Sequence, residues 1–169
     1  MYAIVIPQLS RMLENINGLL KKAASHAETK KFDVSILLHA RLAPDQFAFI
    51  RQVQIACDNA KGIVARLSGT VAPIHADTEK TIEELHARIY KTIDYVRSVP
   101  EAAFDGWENR HAEFPWVPGK YLTGFDYVSL YAIPNFYFHV TTAYAILRHN
   151  GVELGKADFL GQLPFKNTL

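Results

Sequence analysis

From Leu9 onward the apolar residues fall at Leu9, Met12, Leu13, Ile16, Leu19 and Leu20, and the same three-and-four stepping returns in later segments. That spacing places the apolar side chains on one face of an α-helix, so the chain must form helices that bury those faces against one another. The first helix is predicted from about Leu9 to Ala24, with Pro7 tolerated near its start, where a missing N–H removes little. Ser25 to Asp33 is polar and reads as a connection. Ser35 to Leu42 reads as a short turn of helix. Pro44 then suits the first turn of a second long helix, with Phe47, Ile50, Val53, Cys57, Val64 and Leu67 on its buried side and a stop at Ser68-Gly69. A third helix is expected to be capped by Asp77 or Thr78, carried by Ile82, Leu85, Ile89, Ile93 and Val96, and limited by Pro100.

Between Pro100 and Gly124 the pattern changes. Prolines and glycines alternate with Trp107, Phe114, Trp116 and Tyr121, and Pro118-Gly119 predicts a small hairpin in which Ala112 to Val117 faces Lys120 to Phe125. A fourth helix is expected from about Asp126 to His149, interrupted or restarted at Pro134 and stopped by Asn150-Gly151. The tail would drape over the bundle through Leu154, Phe159 and Leu160. Four amphipathic segments of similar length predict an all-α, antiparallel four-helix bundle forming a single domain over residues 1–169, with the excursion covering one end.

Charge and cysteine usage narrow the setting. Eighteen basic and seventeen acidic residues leave a formal net charge of +1 without a basic cluster, which argues against nucleic acid as a partner. The apolar opening Tyr2 to Ile6 meets Pro7 too soon for a cleavable signal, and no apolar run is long enough for a membrane span. A lone cysteine, Cys57, has no internal partner and suits a reducing cytoplasm.

Two polar sets stand out on helices that otherwise read as core. Gln54, Cys57, Asp58 and Lys61 share one face of the second helix; Asn135 and His139, one turn apart, share a face of the fourth. One reading has His139 and Asn135 ligating a metal with Asp58 or Gln54 completing the set, although one imidazole with amides and a carboxylate is a poor donor set for Zn²⁺ or Ni²⁺. The other has His139 hydrogen-bonded to Asp58 or a backbone carbonyl for stability alone. Arg41 and Asp45 flank Pro44, either as an ion pair or with Arg41 free for an anionic ligand, and Tyr137, Tyr144 and Trp116 are candidate pocket walls, although aromatics at helical spacing are more often core. Cys57 is a nucleophile only if its pKa is lowered, and reads better as a buried, inert thiol.

The run Pro134 to Val152, with Ala40 to Asp45, Gln52 to Asp58 and Gly155 to Gly161, resembles a domain family of unknown function in the DinB/YfiT-like superfamily, over nearly the whole chain. The resemblance implies an antiparallel four-helix bundle, often dimeric. It also implies, for many members, a divalent metal on three histidines, two of them in an HxxxH on the last helix, with thiol transfer or isomerisation in some. His139 resembles the second histidine of that pair; Asn135 stands where the first would be. Gln54 and Asp58 are the nearest candidates for the third, so the usual metal site is expected to be lost. The expectation is a small-molecule-binding or structural homodimer. The alternative is a metal-assisted, thiol-dependent transferase or isomerase using His139 as ligand or base and Asp58 as its orienting carboxylate. In that case Asn135, Gln54, Arg41 and Tyr137 contact the substrate, and the cofactor is a divalent metal held weakly by His139, Asp58 and Asn135.

Overall fold

Helix α1 outruns its apolar spacing at both ends: in the computed structural model, which describes residues 1–168, it spans Tyr2–Lys30. Pro7 lies inside it. Its missing N–H leaves the carbonyl of Ala3 without a helical partner, but Ala3 is exposed and water can take that place. At the other end the polar stretch continues the helix because Ala23 and Ala27 stay in phase with the buried face; Lys31, at φ 58°, ends it in a left-handed cap.

Helix α2, Ser35–His39, buries Leu37 and Leu38. Helix α3 spans Phe49–Ser68, beginning later than Pro44 suggests. Residues 40–48 form a closed loop instead: the Phe49 N–H donates to the Ala40 carbonyl (2.9 Å) and Arg41 Nη1 to that of Pro44 (3.1 Å). Phe47 belongs to this loop and is exposed rather than part of the buried stripe. Gly69, at φ 74°, ends α3 as expected. Helix α4 spans Ile82–Ser98 and is capped by Thr81 in a reciprocal box with Glu84, not by Asp77 or Thr78. Those two residues lie in the crossover that precedes it.

After α4 come two short 3₁₀ turns, Glu101–Phe104 and Trp107–Asn109, and a hairpin of β1, His111–Glu113, and β2, Tyr121–Thr123, paired antiparallel with Ala112 opposite Leu122. A short helix α5, Gly124–Asp126, runs into a π-helical turn, Tyr127–Ala132, and on into α6, Ile133–His149. Pro134 does not interrupt this rod. Lacking an N–H for the i→i−4 ladder, it stands just after the one stretch where the ladder widens. The tail carries α7, Lys156–Leu160; Leu154 is buried and Phe159 meets Tyr144 edge-on, while Leu160 is partly exposed.

Paired side chains give the helix directions. Asn17 with His86, Glu14 with Arg97 and Tyr2 with Phe104 set α1 antiparallel to α4. Gln52 with His139 and Arg66 with Tyr127 set α3 antiparallel to α6. Asp58 with Arg88 and Thr70 with Tyr95 show α3 and α4 running the same way. The chain reverses between them through residues 69–81, laid back along α3 as a crossover. The result is an antiparallel four-helix bundle with one long crossover, and the hairpin region closes the end where α3 and α4 finish. Leu9, Leu13, Ile16, Leu20, Phe49, Val53, Ile63, Leu85 and Phe136 fill its centre. Among the described residues no helix is long and apolar enough to cross a membrane.

Candidate functional site

Helix α3 carries polar residues on two faces. Gln52, Asn59 and Arg66 recur every seven residues, two turns apart, and so point one way, toward α6. Gln52 Oε1 meets His139 Nδ1 at 2.7 Å, Asn135 Nδ2 donates to Asn59 Oδ1 at 3.0 Å, and Arg66 reaches the Tyr127 hydroxyl at 3.5 Å. The pairing of Asn135 and His139 on one face is thus as expected, but the residues facing them are Gln52 and Asn59.

The tautomer of His139 follows from its neighbour. Gln52 Nε2 donates to the Phe47 carbonyl at 3.0 Å, so its oxygen is the atom turned to the imidazole, and Nδ1 must carry the proton. The lone pair is then on Nε2. Burial, helped by the nearby Arg51 cation, lowers the pKa of His139, which makes it a neutral ring at neutral pH.

The second face of α3, bearing Arg51, Gln54, Asp58 and Lys61, turns to α4 and the crossover. Its centre is Arg88, whose side chain is 1% exposed. Arg88 Nη2 donates to Asp58 Oδ1 at 2.8 Å and to the Gln54 carbonyl at 3.3 Å; Nη1 meets Asp77 and Glu79, each at 3.0 Å. Lys61 Nζ bonds Asp58 at 2.9 Å and the Pro73 carbonyl at 2.9 Å, Arg51 pairs with Asp77, and Gln54 Nε2 donates to Glu79 at 2.9 Å. Three cations meet three carboxylates, so the cluster is balanced and pins the crossover to the bundle. Burial opposes ionisation of Asp77 and Glu79, but Arg51 and Arg88 outweigh it for Asp77, and the backbone N–H of Glu79 together with Arg88 and Gln54 does so for Glu79; both carboxyls are held below the usual range.

Asp58 therefore serves Arg88 and Lys61 and does not orient His139, and Gln54 serves Glu79 and Arg51. The set His139, Asp58 and Asn135 is not brought together: Asn135 and His139 of α6 meet one face of α3, and Asp58 lies on the other. Arg41 closes its own loop on Pro44, with no ion pair to Asp45 among the described residues. Tyr137 turns the other way, donating to Gln8 Oε1 of α1 at 3.3 Å. Cys57 is fully buried, and burial, outweighing Thr92 and Arg88, pushes its thiol up to about 12, too high for a thiolate at neutral pH.

As a metal site the α3–α6 seam does not fit. It offers one imidazole nitrogen and three neutral amides, where zinc and nickel prefer imidazole or thiolate: Gln52 is spent on His139 and the Phe47 carbonyl, Asn59 Oδ1 accepts from Asn135, and Asn59 Nδ2 is a buried donor without a partner among the described residues, which repels a cation. Among the described residues no group of three or more His, Cys, Asp or Glu is placed to hold a metal.

The histidines make stability depend on pH. Burial lowers the pKa of His139, His75 and His86, so just below the ordinary value of about 6.5 the unfolded chain binds protons that the folded chain does not. Stability should hold above about pH 6.5, decline as pH falls below it, and decline further below about pH 4 as Asp77 and Glu79 protonate. A melting temperature unchanged between pH 7 and pH 5 would contradict the first stage.

A family described as Domain of unknown function (DUF1993) matches residues 1–160. A solved structure, described as the crystal structure of a DinB family member protein from Shewanella denitrificans at 1.83 Å resolution, is 50% identical, superposes with a TM-score of 0.95, and covers 99% of this chain and 95% of its own. No curated protein matches.

Proposed function

The chain belongs to the DUF1993 family and is DinB-like, and from that premise we propose that it is a small-molecule-binding homodimer that works without the three-histidine metal site of its superfamily. The observation that supports this most is the amide seam: Gln52 and Asn59 of α3 are hydrogen-bonded to His139 and Asn135 of α6, the positions from which imidazoles would otherwise converge. In this reading His139 is a polar contact. Its Nδ1–H is committed to Gln52, and its neutral Nε2 accepts a hydrogen bond from a ligand hydroxyl or amine.

The competing reading, a metal-assisted, thiol-dependent transferase or isomerase, has Asp58 orienting His139, whereas Asp58 is occupied with Arg88 and Lys61 and the ring is held by Gln52 instead. Dimerisation is supported by an apolar stripe on the outer side of the last helix, where Leu130, Pro134 and Phe138 are exposed in successive turns. We place the protein in the reducing cytoplasm, where a free buried thiol such as Cys57 persists.

A resident metal stabilises the folded state by mass action, so thermal unfolding tests the reading. Dialysis against a chelator, or addition of equimolar Zn²⁺ or Ni²⁺, should leave the melting temperature within about 1 °C, whereas a site saturated a hundredfold above its Kd would raise it by about 5 °C or more. A chelator-induced fall of that size would overturn the proposal.

A further inference from the structure

We propose that the hairpin closing one end of the bundle forms a second ligand site, specific for small aromatic carboxylates, in the cleft between Phe114, Trp116, Val117, Lys120, Leu122 and Tyr131. The cleft encloses about 300 Å³, the low end of what a small-molecule site needs.

Its walls are aromatic and already arranged. Phe114 lies 5.1 Å from Tyr131, edge to face at 61°, and 4.9 Å from Trp116, tilted at 44°, both in the range favoured by aromatic pairs. The floor is fixed from the bundle side: the Arg66 guanidinium sits 5.4 Å from the Phe114 ring and 5.6 Å from that of Tyr127. Tyr121 is stacked on His111 at 3.6 Å and 15°, which holds β2 against β1. A planar ring entering such a cleft loses little to rearrangement.

Two features say what enters. Trp116 is 63% exposed, an indole left facing water at the mouth of an apolar cleft, and an aromatic guest would cover it. Lys120 also lines the cleft and makes no ion pair or side-chain hydrogen bond among the described residues. The one carboxylate on the hairpin strands, Glu113, is paired in register with Tyr121 and does not line it. An apolar aromatic wall beside a free ammonium selects a ring bearing a negative charge over a neutral or cationic one.

The proposal extends the binding reading above and is independent of its metal-free part, since metal content and occupancy of the hairpin can fail separately. The test uses 2-naphthoate as probe and the indole N–H resonance of Trp116, assigned with Trp116→Phe, in nitrogen-15 correlation spectra. The expected result is a saturable shift of Trp116 with the Trp107 resonance unmoved. Binding should weaken about threefold to fivefold in Lys120→Gln, the worth of a partly exposed ion pair, and by a similar factor when 2-naphthamide replaces the acid. No saturable shift, naphthamide bound as tightly as naphthoate, or a Lys120→Gln variant that binds naphthoate undiminished would each overturn the proposal. So would a Trp116 resonance that moves on dilution without ligand, because a second copy of the chain would then cover the cleft.

Discussion

Replacing Arg88 with methionine is expected to destabilise the protein by about 3 kcal/mol, the low end of the cost of removing one partner from a buried ion pair, because Arg88 is buried while Asp58 and Asp77 are partly exposed. For a chain of this size that corresponds to a fall in melting temperature of roughly 6–12 °C. Methionine keeps much of the volume, so the loss measures the charge and not a cavity. Asp58, Asp77 and Glu79 would be left facing one another with only Arg51 and Lys61 to compensate, and Asp77 and Glu79 sit on the crossover that Arg88 ties to α3 and α4. The crossover should therefore loosen first, and limited trypsin digestion at Lys80 should accelerate in the variant before global unfolding does. Arg88→Lys should recover only part of the loss, because a single ammonium does not span three carboxylates as a planar guanidinium does. A melting temperature within 2 °C of wild type in Arg88→Met would mean that the crossover is held by something else.

Gly124→Ala is the second large effect. Gly124 opens α5 directly behind β2, and a Cβ built there would overlap the Trp107 carbonyl oxygen and lie 2.9 Å from its carbonyl carbon. Both are backbone atoms of a 3₁₀ turn and have no rotamer to retreat to, so the turn and the helix must separate, at a cost of about 3 kcal/mol. Because this contact joins the excursion to the start of the α6 rod, near-ultraviolet circular dichroism from Trp107 and the hairpin aromatics should change even where far-ultraviolet helicity does not. Wild-type stability in the alanine variant would show that the turn does not pack on Gly124 as described.

The long helices are legible in the sequence because burial on one face imposes a period that few substitutions obscure: Leu85, Ile89, Ile93 and Val96 mark α4 without help. Their ends are less so. Pro44 resembles a helix start, yet the loop it belongs to is fixed by a contact between Ala40 and Phe49 that no local pattern announces. Thr81 and Glu84 form a capping box in plain sight, while Asp77, the more conspicuous candidate, is drawn away by Arg51 and Arg88.

The site was legible on one helix and not on the other. Asn135 and His139 share a face because they are one turn apart, and they do. Choosing Gln52 over Gln54 as the partner of His139 needs the rotation of α3 about its own axis, which packing sets; the seven-residue recurrence of Gln52, Asn59 and Arg66 was the available signal. Arg88 carried a similar one: it falls in phase with Leu85, Ile89 and Thr92, and a charge in a buried stripe calls for buried partners. Which carboxylates those are depends on the crossover's path and is not written in any spacing.

Elemental mass spectrometry of tag-free protein purified without chelators distinguishes an amide seam between α3 and α6 from a metal site. Less than about 0.1 equivalent of any transition metal per chain is expected, in wild type and in His139→Ala alike, since one imidazole with neutral amides does not retain one. Close to one equivalent in wild type, lost in His139→Ala while the fold is kept, would contradict the amide seam.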